Sequence, residues 1–215
     1  MVKYRKQYGR SDYILVIFST FKLCILIVLL LTSEAYCDPY CVIAPDKEHK
    51  IVWECNSDPL DSNVYSRNCN VYALDASGNI KWIHQKADLP EPTVRWRSNS
   101  LAEIIIPCGS PCNYSIFYDV KEGVSGLFEF VLAVNADKRV VARAGSSNIL
   151  INNIFQNPEK IIMKIDRNFG ETAALVLDIE EAHFTSFGNL FIRYLSGNDY
   201  VPKEETIPVK YPNLK

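Results

Sequence analysis

The chain has 215 residues, 48% of them hydrophobic and 22% charged, with a formal net charge of −2. Those values exclude a disordered chain and leave enough apolar material for one packed core without a metal. They also make a nucleic-acid partner a poor fit, because binding a phosphate backbone needs an excess of basic residues.

The first 35 residues read as a targeting segment. Lys3, Arg5, Lys6 and Arg10 form a basic start, Leu23 to Leu31 an unbroken apolar run, and Ser33-Glu34-Ala35 a small-residue cleavage site. The mature chain then starts at Tyr36. The rival reading is an uncleaved anchor over Tyr13 to Leu31, interrupted by Lys22. Contact with a membrane is expected only through this segment, and then only if it is retained. Either way the chain is expected outside the cytoplasm, in a periplasm or extracellular space. Setting aside the segment's five Lys/Arg and two Asp/Glu leaves 18 basic and 23 acidic residues, a net charge of −5.

Cys24 lies inside the apolar run. Six cysteines remain: Cys37, Cys41, Cys55, Cys69, Cys108 and Cys112. An even number in an exported chain implies up to three disulfides, and their connectivity is open. All six precede Asn113, so the staples are expected in the N-terminal half. Cys108-Gly109-Ser110-Pro111-Cys112 spans a tight loop between strands. A redox pair would prefer two intervening residues at a helix start.

Apolar residues alternate with a period of two along most of the mature chain. Ile51 to Cys55, Val71 to Leu74, Ile80 to His84, Thr93 to Arg97 and Leu101 to Ile106 read as strands. So do Tyr114 to Val120, Leu127 to Val134, Arg139 to Arg143 and Asn148 to Ile154. Ile161 to Ile165, Ala173 to Glu180 and Asn189 to Leu195 complete the set. Turn clusters recur about every ten residues, the spacing of a sandwich or barrel. Val71 to Trp82 (VYALDASGNIKW) resembles one repeat of the quinoprotein-like β-propeller family. The resemblance implies a blade hairpin with the Trp packed between blades. It occurs once, and a propeller needs at least four blades, so we read this segment as a plain hairpin. The expected fold is all-β: an antiparallel β-sandwich of about ten short strands. It occupies residues 36–198, and residues 199–215 form a Pro-containing extended edge or tail.

No catalytic constellation is evident. His49, His84 and His183 share no metal-ligand spacing, and neither a Gly-x-Ser-x-Gly elbow nor a phosphate loop is present. No metal and no cofactor are expected. Arg95-Trp96-Arg97 is the candidate partner contact, since Arg and Trp are enriched at hot spots. The plainer reading puts Trp96 in the core and both arginines in water. Asn113-Tyr114-Ser115 is a glycosylation sequon. The expected function is a non-catalytic module that binds a protein partner, as an inhibitor or immunity protein does. A cell-wall or polysaccharide hydrolase using Asp178, Glu180 and His183 is the alternative, and a structural or adhesive surface module is the third.

Overall fold

The computed structural model describes residues 40–56, 68–88, 91–170 and 174–211. The targeting segment and Cys37 lie outside the described residues. The strands fall into four antiparallel sheets, and the chain builds them one after another. The first holds β1 (Cys41–Ile43), β2 (His49–Asn56), β3 (Asn68–Asp75) and β4 (Ile80–Asp88). The second holds β5 (Thr93–Trp96), β6 (Leu101–Pro107), β7 (Asn113–Asp119) and β8 (Gly123–Glu129). The third holds β9 (Val131–Asn135), β10 (Val140–Ala144), β11 (Asn148–Asn153) and β12 (Ile161–Asp166). The fourth has three strands: β13 (Ile179–Phe184), β14 (Leu190–Ser196) and β15 (Val201–Ile207). Within each sheet the neighbours in space are neighbours in sequence. The architecture is therefore all-β and sandwich-like, with fifteen described strands where about ten are expected from the sequence.

Local chemistry sets the turns. Between β3 and β4, Asp75 Oδ1 accepts from the backbone N–H groups of Ser77 and Asn79, each at 2.9 Å, and Gly78 takes φ 81°. An Asp that bonds backbone two residues on, followed by a glycine at positive φ, is what a tight hairpin requires. Between β9 and β10, Asn135 Oδ1 caps the Lys138 N–H at 3.0 Å. Leu127 to Val134 reads as one strand but forms two. Phe130 adopts φ 50° and turns the chain from the second sheet into the third.

The sheets stack in sequence order. Ile51, Trp53 and Val71 of the first sheet pack on Ala102, Ile104 and Ile106 of the second. Leu101, Phe117 and Phe128 on the other face of the second meet Val141 of the third. Val140, Ala142, Ile149 and Ile151 of the third meet Leu190, Ile192 and Tyr194 of the fourth. The second and third sheets are thus covered on both faces, which explains the near-continuous burial of Leu101 to Ile104. The rings of Phe117 and Phe128 meet edge to face at 5.9 Å. Burial stabilises such a side chain by about 2–3 kcal/mol. Val71 to Trp82 lies in the hairpin of β3 and β4, and Trp82 is exposed rather than packed between sheets as the blade resemblance implies.

Two disulfides join described residues. Cys55–Cys69 links directly paired residues of β2 and β3, and Cys108–Cys112 closes the β6–β7 turn. Cys41 is disulfide-bonded as well. Cys108 lies just past the midpoint of the chain, so the staples reach beyond its first half. From Asn113 onward, packing holds the sheets together. Val201–Ile207, in the segment expected as an extended edge or tail, pairs with β14 along its whole length. After it, Val209 is buried and Tyr211 packs against the same core. No helix among the described residues is long and apolar enough to cross a membrane.

Candidate functional site

Three consecutive sheets contribute turns to one cleft of about 490 Å³. Its lining comes from Arg97 after β5, from Val134 to Lys138 across the β9–β10 turn, and from Phe184 to Gly188 across the β13–β14 turn. Phe187 stands at the tip of the last turn with 89% of its surface exposed. The turn beneath it is pinned. The Gly188 N–H donates to the Thr185 carbonyl at 2.9 Å, and the Thr185 N–H donates to the Asn189 carbonyl at 2.8 Å. The Asn189 N–H donates to Thr185 Oγ1 at 3.2 Å, and the Tyr211 hydroxyl donates to the Gly188 carbonyl. Gly188 takes φ 82°, and a Cβ there would lie 3.1 Å from the Tyr211 hydroxyl oxygen. The Lys138 ammonium sits 5.9 Å from the Tyr211 ring centre. The cleft is polar, carries Arg97, Lys138 and Asp137, and presents one aromatic ring at its rim.

The Arg95-Trp96-Arg97 triplet does not form a single patch. Arg95 is exposed on β5. Trp96 packs against the core between the first two sheets, and its indole N–H donates to the Val42 carbonyl at 3.3 Å. Arg97 donates from Nε to Glu103 Oε2 at 2.6 Å. Glu103 is 2% exposed and also accepts from Ser115 Oγ at 2.8 Å. Arg97 therefore serves a buried carboxylate while also lining the cleft. A matching pair lies nearby. Arg139 reaches Asp119 Oδ2 at 2.5 Å, and Asp119, 1% exposed, accepts also from Ser100 Oγ at 3.0 Å.

Asp178, Glu180 and His183 share none of the described cavities. Asp178 is buried where β13 begins, Glu180 and His183 are exposed on the strand, and His183 Nδ1 lies 3.2 Å from Glu181 Oε1. The His183 ring stacks on Phe191 at 4.7 Å. Among the described residues no three His, Cys, Asp or Glu side chains converge as a metal site would need.

No family model matches this chain, and no curated protein does. Among solved structures, one chain of a crystal structure of the mitotic checkpoint complex is similar at 14% identity and a TM-score of 0.39. The match covers 80% of this chain and 53% of that one, so this chain spans about half of its length. The cleft is not apparent in sequence, because its residues come from turns some 40 residues apart. The only local trace is Thr185-Ser186-Phe187-Gly188-Asn189, a turn-forming segment with a large apolar residue in its middle.

Proposed function

We propose that this chain is an exported, non-catalytic module that docks a protein partner at the cleft-bearing end of its sheet stack, with Phe187 as the anchor. The pinned display of Phe187 carries the reading. A rigid aromatic side chain loses little entropy on binding, and truncating such an anchor removes a large share of the binding energy. Loops held on a sheet scaffold are where binding residues concentrate. An exposed apolar ring beside charged side chains offers a partner both an apolar contact and polar ones, as interfaces combine them. Export is supported by the disulfides Cys55–Cys69 and Cys108–Cys112, since such bonds persist in oxidising compartments.

The experiment is a comparison of baits. The wild-type chain and Phe187→Ala are exposed to the extracellular protein fraction of the source, and any protein retained is identified and purified. The expected result is a partner whose Kd rises about 30-fold with Phe187→Ala, the loss of a single hot spot. The same partner should bind Trp82→Ala unchanged, because Trp82 is exposed on the first sheet, away from the cleft. A partner indifferent to Phe187→Ala overturns the docking site. Retention of no protein by either bait overturns the module itself.

A further inference from the structure

At the other end of β13 from Phe184 lies a second, smaller cavity of about 150 Å³. Asp178 lines it and is 1% exposed. Its Oδ1 has no hydrogen-bond partner. The backbone around it is fixed: the Asp178 N–H donates to the Leu175 carbonyl at 3.0 Å, and its carbonyl accepts from the Leu195 N–H at 2.8 Å. Gly170 lets the backbone approach this oxygen closely, since a Cβ at that position would lie 2.7 Å from Oδ1 and 3.1 Å from Tyr200 Cδ1. Arg167 also lines the cavity, but its guanidinium is committed elsewhere. It donates to both carboxylate oxygens of Glu205 at 2.7 and 2.9 Å and to the Asp166 carbonyl at 2.8 Å. The cavity therefore contains a carboxyl oxygen, Asp178 Oδ1, to which no donor is bonded. A buried ion without a partner is strongly unfavourable.

We propose that this cavity binds an alkylammonium group, with Asp178 as its counter-ion. An ammonium carries three donors. Asp178 Oδ1 takes one, and the hydroxyls of Ser146 and Ser147 with the side-chain carbonyl of Asn168 supply acceptors along the same lining. Phe169 and Leu175 form the apolar wall against which a carbon stem packs, and an aromatic face attracts a cation. A cavity of this volume holds about six non-hydrogen atoms, which suits n-butylammonium or the end of a lysine side chain. A calcium ion fits poorly, because it wants six or more oxygen ligands, several of them carboxylate. The proposal is independent of docking at Phe187.

The test titrates the full chain with n-butylammonium chloride in one arm and Nα-acetyl-lysine methylamide in the other. Binding is followed by calorimetry and by the ¹³C shift of the Asp178 carboxyl carbon. Saturable binding in either arm, with the Asp178 resonance moving, is the expected result. The tighter arm tells whether a free amine or a lysine side chain is the natural source. Asp178→Asn should weaken binding about tenfold or more, the loss of a charge-assisted contact. n-Butanol, the neutral isostere, should not bind. The proposal is overturned if neither amine saturates the protein, if the Asp178 resonance stays still while binding occurs, or if calcium saturates the cavity in place of the amines. If Asp178→Asn does not fold, the wild-type resonance alone decides.

Discussion

At the scale of single residues, the informative groups are the buried charges between the second and third sheets. Asp119 takes contacts from Arg139, from Ser100 and from two backbone N–H groups, those of Lys121 and Glu122. Removing Arg139 leaves that carboxylate buried with only neutral donors. Arg139→Ala should therefore cost about 3 kcal/mol in chemical denaturation, well above the typical surface substitution. A loss under 1 kcal/mol would mean that water replaces the guanidinium. Asp75 makes a pH prediction. The amide of Asn79 donates to its carboxylate at 2.9 Å, and the backbone N–H groups of Asn79 and Ser77 add to that pull. Its carboxyl is accordingly held below the usual range. A lowered folded pKa gives stability that is present above the unfolded value, about 3.9, and is lost as pH falls through the folded one. Amide protection at Ser77 and Asn79 should fall on acidification through that window, and Asp75→Asn should remove the acid dependence. The turn role of Asp75 is legible from Asp75-Ala76-Ser77-Gly78-Asn79. The role of Arg97 is not. Its partner Glu103 sits across a hairpin, in a strand whose two faces are both covered, and alternation alone assigns such an arginine to water.

At the scale of elements, the two bridges differ in what they constrain. Cys55–Cys69 spans 14 residues and Cys108–Cys112 spans 4. Loop-closure entropy assigns about 3 kcal/mol to the longer and about 2 kcal/mol to the shorter. Cys55→Ser with Cys69→Ser should therefore lower the unfolding free energy more than the pair at Cys108 and Cys112. The reverse order would place the larger constraint in the β6–β7 turn. Most strands could be read in the sequence because alternation marks their centres, as in Val94-Arg95-Trp96, or because the run is rich in β-branched and aromatic residues, as in Ile51-Val52-Trp53. Ala173 to Glu180 reads as a strand, yet Leu175–Leu177 forms a 3-10 turn and the strand begins at Ile179. The apolar run there serves burial of Leu175 in the core between the last two sheets, and an apolar run by itself does not separate a buried turn from a strand. β15 carries little strand signal, because Lys203-Glu204-Glu205-Thr206 at its centre is polar on both faces. Its proline and charges are the composition of an edge.

At the scale of the whole molecule, the order of burial predicts an order of stability. The second and third sheets are packed on both faces, while the first and fourth share no core cluster of described residues with each other. Amide exchange should be slowest in β6, β7, β10 and β11 and faster in β2 and β15. Slower exchange in β2 than in β7 would mean that the first sheet has a cover on its outer face. The all-β class was legible from periodicity. The stacking order was not, because a strand covered on both faces and one covered on a single face differ by only a few residues. The chain-order layout also bears on how the molecule forms. Every strand pairing is between near neighbours in sequence, and each bridge between described cysteines closes within one sheet. Contacts of short sequence separation form fast, and a chain made of them can fold from its leading end while the rest is still being delivered. The Cys55–Cys69 bridge can thus close within the first sheet before the second sheet, which holds Cys108 and Cys112, has formed.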